Sequence, residues 1–275
     1  MSSVIASARS FLFLPANRLD RLAKALGSGA HAVILDLEDA VAPSSKDVTR
    51  EALARAWRSL ETEDQSRLLV RVNASDTQWH EGDLALMQQL AEFGLSGVVV
   101  PKAESGRDLD RVARTTHLTV LPLIESAAGL HKLDELTATR VISRLVFGNL
   151  DFQADTGMQC EGDEHELDSV RLALTLASRR AGLPAPIDGV TVDLNDPGRT
   201  ALDVARSRRL GFGGKLCIHP TQVPSINEGF GPTLSQREWA KRVLAASQMH
   251  EGAFQLDGQM VDAPILVRAR AYLSE

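Results

Sequence analysis

The chain has 275 residues, 44% of them hydrophobic and 24% charged, with a formal net charge of −6. That is ordinary globular composition, with room for one large α/β domain or two small ones. The acidic balance, without a long basic run, argues against a nucleic-acid or membrane-surface binder and fits an enzyme of small metabolites.

Residues 10–16 (SFLFLPA) predict a first strand, because the FLFL run after Arg9 is too short for a signal-peptide core and stops at Pro15. Further apolar runs predict strands at 32–39 (AVILDLED), 68–73 (LLVRVN), 97–102 (GVVVPK), 119–125 (TVLPLIE), 144–151 (RLVFGNLD), 187–193 (IDGVTVD) and 214–220 (GKLCIHP). Amphipathic stretches such as 47–61 and 164–181 predict helices between them, and Gly27, Gly94, Gly182 and Gly211 read as left-handed helix ends. After the eighth strand, 221–231 is turn-rich and 235–250 is helical with Ser235 as N-cap. A loop or hairpin follows at 251–262, and a final helix at 263–273 is entered through Pro264. No apolar stretch approaches the ~20 residues of a membrane span. Cys160 and Cys217 have no CxxC spacing and read as reduced, so a cytoplasmic protein is expected.

Strand and helix alternating eight times is the pattern of a (β/α)8 TIM barrel. A doubly wound sheet usually carries a glycine fingerprint after its first strand, and the first loop here, PANRLDRL, has none. The expected organisation is a catalytic barrel over 1–232 and a C-terminal helical lid over 233–275 that packs on a neighbouring subunit.

In such a barrel the C-terminal strand ends converge on one face. Those ends carry Glu38, Asp39, Arg71, Asn73, Lys102, Glu125, Asp151, Asp193 and His219. Glu125 and Asp151, closing two of the most apolar runs, are the candidate metal ligands. Mg2+ takes one or two carboxylates and keeps waters or substrate oxygens, with Mn2+ as the alternative. The competing account makes both carboxylates helix caps. Zinc is disfavoured, since no HxH or HExxH grouping occurs. Arg71, which can point to the barrel interior or to the helices, is a candidate for holding a substrate carboxylate or enolate oxygen, with a structural ion pair as the alternative; Glu38 and Asp39 would orient it or metal-bound water. Asp36 and Glu38 share one face of their strand. Lys102 could form an imine or bind an anion. His219 reads as a turn-former, and Lys215 belongs to the wrong end of the barrel. Arg9, Arg18, Arg21 and Lys24 around the first loop are candidates for a phosphate-bearing cofactor.

The strings RSFLFLPANR, AVILDLEDAV, LPLIESAAGL, FGNLDFQADTG, KLCIHPTQV and GQMVDAP resemble the citrate lyase beta subunit-like (CitE-like) proteins of the HpcH/HpaI aldolase and malyl-CoA lyase superfamily. The resemblance runs in order over nearly the whole chain. It implies Mg2+-dependent cleavage or formation of a carbon–carbon bond in an acyl thioester such as citryl-, malyl- or citramalyl-CoA. By position it implies Glu125 and Asp151 as metal ligands, Arg71 as the substrate-polarising arginine, and Asp262 as an acid/base supplied from a neighbouring subunit. A homo-oligomer, a trimer or a multiple of one, follows from the same resemblance. Leu150 departs from it, since many members carry glutamate there. Two alternatives stand beside the thioester lyase: a metal-dependent 2-oxo acid (pyruvate-type) aldolase, and a citrate lyase beta-type subunit acting on an acyl-carrier protein thioester within a complex.

Overall fold

The structure, a computed structural model, describes residues 4–250 and 252–274. Two compact units divide it, one up to Asn227 and one from Glu228.

The first unit is an α/β TIM barrel. Strands β1 (Ser10–Pro15), β2 (Ala32–Asp36), β3 (Leu68–Arg71), β4 (Val98–Val100), β5 (Val120–Ile124), β6 (Val146–Phe147), β7 (Ile187–Asp188) and β8 (Gly214–Cys217) pair in order, and β1 closes in parallel on β8. Alternation along each strand divides the side chains. Phe11, Ile34, Leu69, Val99, Leu121 and Leu216 fill the interior, while Val33, Leu35 and Val98 belong to the opposite face of their strands and are equally buried. Two residues beyond this filled layer, the same inward phase brings Asp36 after Ile34, Arg71 after Leu69 and Glu125 after Leu123. The register pairs Asp36 directly with Arg71. The periodicity that fills the barrel therefore aims these charges at its C-terminal mouth.

At the other end Ile5 and Ala8 complete the interior cluster. Arg144 is buried there, donating from Nη1 to the carbonyls of Ile5 at 3.1 Å and Ala8 at 2.6 Å, and from Nε to that of Ala185 at 2.8 Å. Burial without a carboxylate partner pushes its guanidinium down to about 9. It ties the amino-terminal segment to the barrel.

The second unit comprises the helices Leu234–Ser247 and Ala263–Ser274 and an antiparallel hairpin, β9 (Phe254–Leu256) and β10 (Gln259–Val261). Ala240, Val243, Val261 and Ala269 form its core, and Trp239 meets Tyr272 edge-on at 6.0 Å. Asp257 and Gly258 turn the hairpin with φ of +51° and +76°, as a two-residue turn of this hand requires.

Several expectations need correction. The run 144–151 is not one strand: β6 ends at Phe147 and a helix, Asn149–Thr156, begins after Gly148. Asp151 therefore stands in the first turn of a helix. Likewise β7 ends at Asp188, and β2 ends at Asp36, so Glu38 and Asp39 belong to the following loop. The helix expected from 235 is capped by Thr233, not Ser235, in a capping box with Gln236. Gly94, Gly182 and Gly211 are left-handed, but Gly27 is helical, and Gly29 takes the positive φ. The hairpin falls within the expected segment 251–262, of which Glu251 lies outside the described residues. Both cysteines are free. Among the described residues no helix is long and apolar enough to cross a membrane.

Candidate active site

Arg71 is held from several sides. Its Nε and Nη2 donate to the two carboxylate oxygens of Asp36, both at 2.7 Å, the bidentate geometry that fits a guanidinium best. Nη1 lies 2.9 Å from Glu38 Oε2, Nη2 lies 3.4 Å from Asp39, and the guanidinium stacks over Phe13 at 5.0 Å. Burial works against the charge, yet Asp36, Glu38 and Asp39 outweigh it and raise the guanidinium pKa above its ordinary value. Glu38 feels the opposite balance. Burial, with Asp39 and Asp36 adding repulsion, pushes its carboxyl up to about 7 despite Arg71.

The loop carrying Glu38 is itself clamped. Lys46 is buried, and its Nζ donates to the carbonyls of Leu37 and Glu38, both at 2.8 Å, and to Asn73 Oδ1 at 2.5 Å. Asp83 accepts in turn from the Asn73 backbone N–H at 2.7 Å and its side-chain amide at 2.6 Å. Asn73 thus serves the scaffold.

Glu125 follows β5 and is buried. One oxygen, Oε1, accepts the backbone N–H of Lys102 at 2.7 Å, a donor presented because Lys102 adopts a left-handed backbone with φ +47°. The other, Oε2, is buried without a hydrogen-bond partner. Burial, with Glu38 and Asp151 adding negative charge, pushes the carboxyl up to about 8. Gly148 makes the room: a Cβ there would come within 2.6 Å of both Cβ and Oε2 of Glu125.

Arg71, Asp36, Asp39, Glu125 and Asp151 line one cavity of about 390 Å³, whose remaining wall includes Phe13, Leu123 and Leu216. Leu150 is at the same cavity, 44% exposed. No cluster of three or more His, Cys, Asp or Glu side chains suited to a metal occurs among the described residues. Two carboxylates with an open mouth instead match the sparse demand of Mg2+.

The other expected residues are placed as follows. Lys102 keeps an exposed side chain with Nζ 4.0 Å from Glu38. Arg18 is exposed and bound to Asp20 at 2.8 Å, whereas Arg21 and Lys24 join His219 around a second cleft of about 350 Å³ that shares Phe13, Pro15 and Ile218 with the first. His219 caps the turn that follows β8, accepting from the Thr221 N–H at 3.3 Å. Asp193 is exposed and caps its own loop through the N–H of Asn195. Asp262 belongs to the C-terminal unit, where its Oδ1 accepts from the Ile265 N–H at 3.4 Å at the start of the last helix. Sequence reasoning gave Lys46 and Gly148 no role, and it set Asp36 only among the acids that could orient Arg71, not as its bidentate partner. For Asp36 a signal existed, since its inward phase matches that of Glu38.

The HpcH/HpaI aldolase/citrate lyase family model matches residues 9–220. The chain belongs to that family. It is 37% identical over its whole length to a "Citrate lyase subunit beta-like protein" of Deinococcus radiodurans, of which 99% is covered. It is 32% identical to a "(3S)-malyl-CoA thioesterase" of Cereibacter sphaeroides, over 97% of this chain and 94% of the relative. Among solved structures it resembles CitE from Mycobacterium tuberculosis in complex with magnesium, acetoacetate and coenzyme A. That similarity has a TM-score of 0.85 and 33% identity, and covers 98% of both chains. The family is one of carbon–carbon lyases and aldolases, which sets the chain at the coarse level among enzymes that make or break bonds between carbons.

Proposed function

We propose that this protein is a Mg2+-dependent carbon–carbon lyase that cleaves, or in reverse forms, a 3-hydroxyacyl-CoA thioester such as citramalyl-, malyl- or citryl-CoA. The observation that carries the reading is the buried, unpartnered Oε2 of Glu125, in a cavity shared with Asp151 and the oriented Arg71. A buried carboxylate oxygen without a donor is costly unless a cation completes it. Glu125 and Asp151 would hold the ion, as the magnesium in the M. tuberculosis relative supports. A Mg2+ ion held there would supply Lewis-acid polarisation of substrate oxygens.

The chain's own groups do the rest. The hydroxyl proton leaves to a carboxylate at the mouth, and Asp39, exposed and lining the cavity, is free of a bidentate partner. The carbon–carbon bond then breaks, the hydroxyl carbon becomes the carbonyl of a 2-oxo acid, and the electron pair passes to the thioester enolate. Arg71 stabilises that enolate oxygen, with Asp36 and Glu38 fixing its plane. Asp262, contributed by the C-terminal unit of a neighbouring copy acting as a lid, protonates the enolate carbon and takes the same proton in the synthetic direction. The reading requires a homo-oligomer, and the resemblance to the CitE-like proteins implies a trimer or its multiple. The cleft lined by Arg21 and Lys24 supplies cations for the phosphates of the carrier, and the reading adds Lys102 and, on release from Asp20, Arg18.

A panel of citramalyl-, malyl- and citryl-CoA, with and without Mg2+, tests the reading through release of a 2-oxo acid and the matching acyl-CoA. Free CoA appearing without 2-oxo acid would mark thioester hydrolysis instead. Turnover of a free 2-oxo acid adduct would mark a pyruvate-type aldolase. Activity confined to an acyl-carrier protein thioester would mark a citrate lyase beta-type subunit.

A further inference from the structure

Against the outer face of β7 lies a cluster of buried charges that takes no part in the chemistry above. Arg171, Asp188 and Lys215 are at most 1% exposed. Arg171 Nε donates to Asp188 at 3.0 Å, Arg171 Nη2 also pairs with Glu164, and Arg206 Nη2 reaches the same Glu164 oxygen at 3.2 Å. Lys215 Nζ donates to the carbonyl of Gly189 at 2.6 Å, and the Ser207 hydroxyl donates to Asp188. Such a cluster is stiff, because moving one member strands a charge where water cannot reach it.

One arm of the cluster runs to the cavity. Glu164 Oε1 accepts from Asn149 Nδ2 at 2.8 Å, and that nitrogen also donates to the Val190 carbonyl at 3.2 Å. Asn149 Oδ1 accepts the Val190 N–H at 2.9 Å. Asn149 is 1% exposed, and a Cβ on Gly189 would come within 2.0 Å of its Oδ1, so that glycine keeps open the space the amide fills. Glu164 holds a left-handed backbone, φ +51°, a conformation that a non-glycine residue keeps only when its surroundings impose it. Asn149 opens the helix whose first turn carries Asp151, and Val190 lines the cavity.

We propose that Asn149 and Glu164 are positioning residues: they anchor the first turn of the Asn149–Thr156 helix and the Val190 wall to the buried charge cluster, and so fix Asp151 at the cavity. The inference rests on the reading of Asp151 as a magnesium ligand. Partners behind a metal ligand set its orientation, and losing one lowers metal affinity by about 10–100-fold.

The test titrates Mg2+ alone into folded variants by calorimetry, with backbone amide exchange over residues 149–152 measured without metal. Asn149→Ala is expected to weaken Mg2+ binding about tenfold and to speed exchange of those amides, and Asn149→Ser stands in if the alanine variant does not fold. Asn149→Asp sets a carboxylate against Glu164 and is expected to do the same. The double variant Asn149→Asp, Glu164→Gln restores the donor–acceptor match between the two side chains but not the donor to the Val190 carbonyl, leaves an oxygen for Arg171 and Arg206, and is expected to recover part of the affinity. Wild-type Mg2+ affinity in both Asn149 variants, or a double variant no better than Asn149→Asp, would overturn the proposal. Asp151→Asn run in parallel separates the two claims. If it binds Mg2+ normally, the metal-ligand reading fails and the positioning claim with it. If it loses binding while the Asn149 variants keep theirs, the positioning claim alone fails.

Discussion

Asp36 and Arg71 are register partners on β2 and β3, and their side chains meet as a bidentate pair with both contacts at 2.7 Å. One hydrogen-bonded ladder thus sets the guanidinium plane, and with it the direction of the donors left for a substrate oxygen. Removing only Asp36 takes from the buried guanidinium its bidentate partner and leaves it Glu38 and Asp39. Asp36→Ala is expected to cost about 3–5 kcal/mol of stability, read by urea unfolding, and to lower kcat/KM strongly. The double variant Asp36→Leu, Arg71→Met is expected to recover much of the stability and none of the activity, which separates the pair's two roles.

Arg71→Lys keeps the charge but not the fork. A lysine cannot serve Asp36 bidentately while also reaching Glu38. Its kcat is expected to fall by about 10²–10³, the cost of one oxyanion donor, with KM moving much less. Steady-state kinetics checks this, and an unchanged kcat would remove Arg71 from the reaction.

Gly148→Ala tests the space around Glu125. The added methyl would fall within 2.6 Å of Glu125 Oε2, so the carboxylate or the backbone must shift. The expected cost is about 1–3 kcal/mol from overpacking, with weakened Mg2+ binding by calorimetry. Gly157→Ala makes a useful comparison: nothing lies within 4 Å of its Cβ position, although its φ of +70° strains any side chain. It should lose stability without losing metal affinity.

Glu125, raised to about 8, and Glu38 both shape the pH dependence of stability, and the share of Glu38 follows from its own shift. Its folded carboxyl is raised to about 7 from 4.5, chiefly by burial. A raised carboxyl binds its proton more tightly in the folded state, so the contribution to stability is complete below about 4.5 and is lost as pH rises through about 7. Glu38→Gln is expected to flatten that part of the profile, by an amount on the order of 2–3 kcal/mol. Asp188 and Asp203 run the other way. Despite burial, Lys215 and Arg171 hold Asp188 low and Arg199 and Thr191 hold Asp203 low, so their contribution is lost as pH falls into the acid range. Urea midpoints of wild type and Glu38→Gln across pH 5–8 check the first claim, and parallel profiles would contradict it.

The barrel was legible because its strands are apolar runs of barrel length, but the direction of Arg71, to the interior or to the helices, stayed open until its register with Asp36 was known. Asp151 was found for an incomplete reason. Phe147 and Leu150 continue an apolar run, but pairing with β5 stops at Phe147 and pairing with β7 at Val146, and only the neighbouring strands decide where a ladder ends. The same holds for 189–193, where β-branched residues read as strand while side chains, Asn149 among them, bind the backbone. The cluster joining Arg171, Asp188 and Lys215 draws on separate elements, and no local pattern announces it. Arg18 and Arg21 looked equivalent in sequence, and only the fold shows Asp20 occupying the first while the second faces the cleft.

Mg2+ binding by Glu125→Gln and Asp151→Asn, measured beside Mg2+-dependent release of 2-oxo acid from citramalyl-CoA and malyl-CoA, tests the lyase assignment most directly. Loss of metal binding together with a fall in kcat of about 10³-fold or more, several kcal/mol of lost stabilisation, is the expected result. Near-normal Mg2+-dependent turnover in both variants would contradict it.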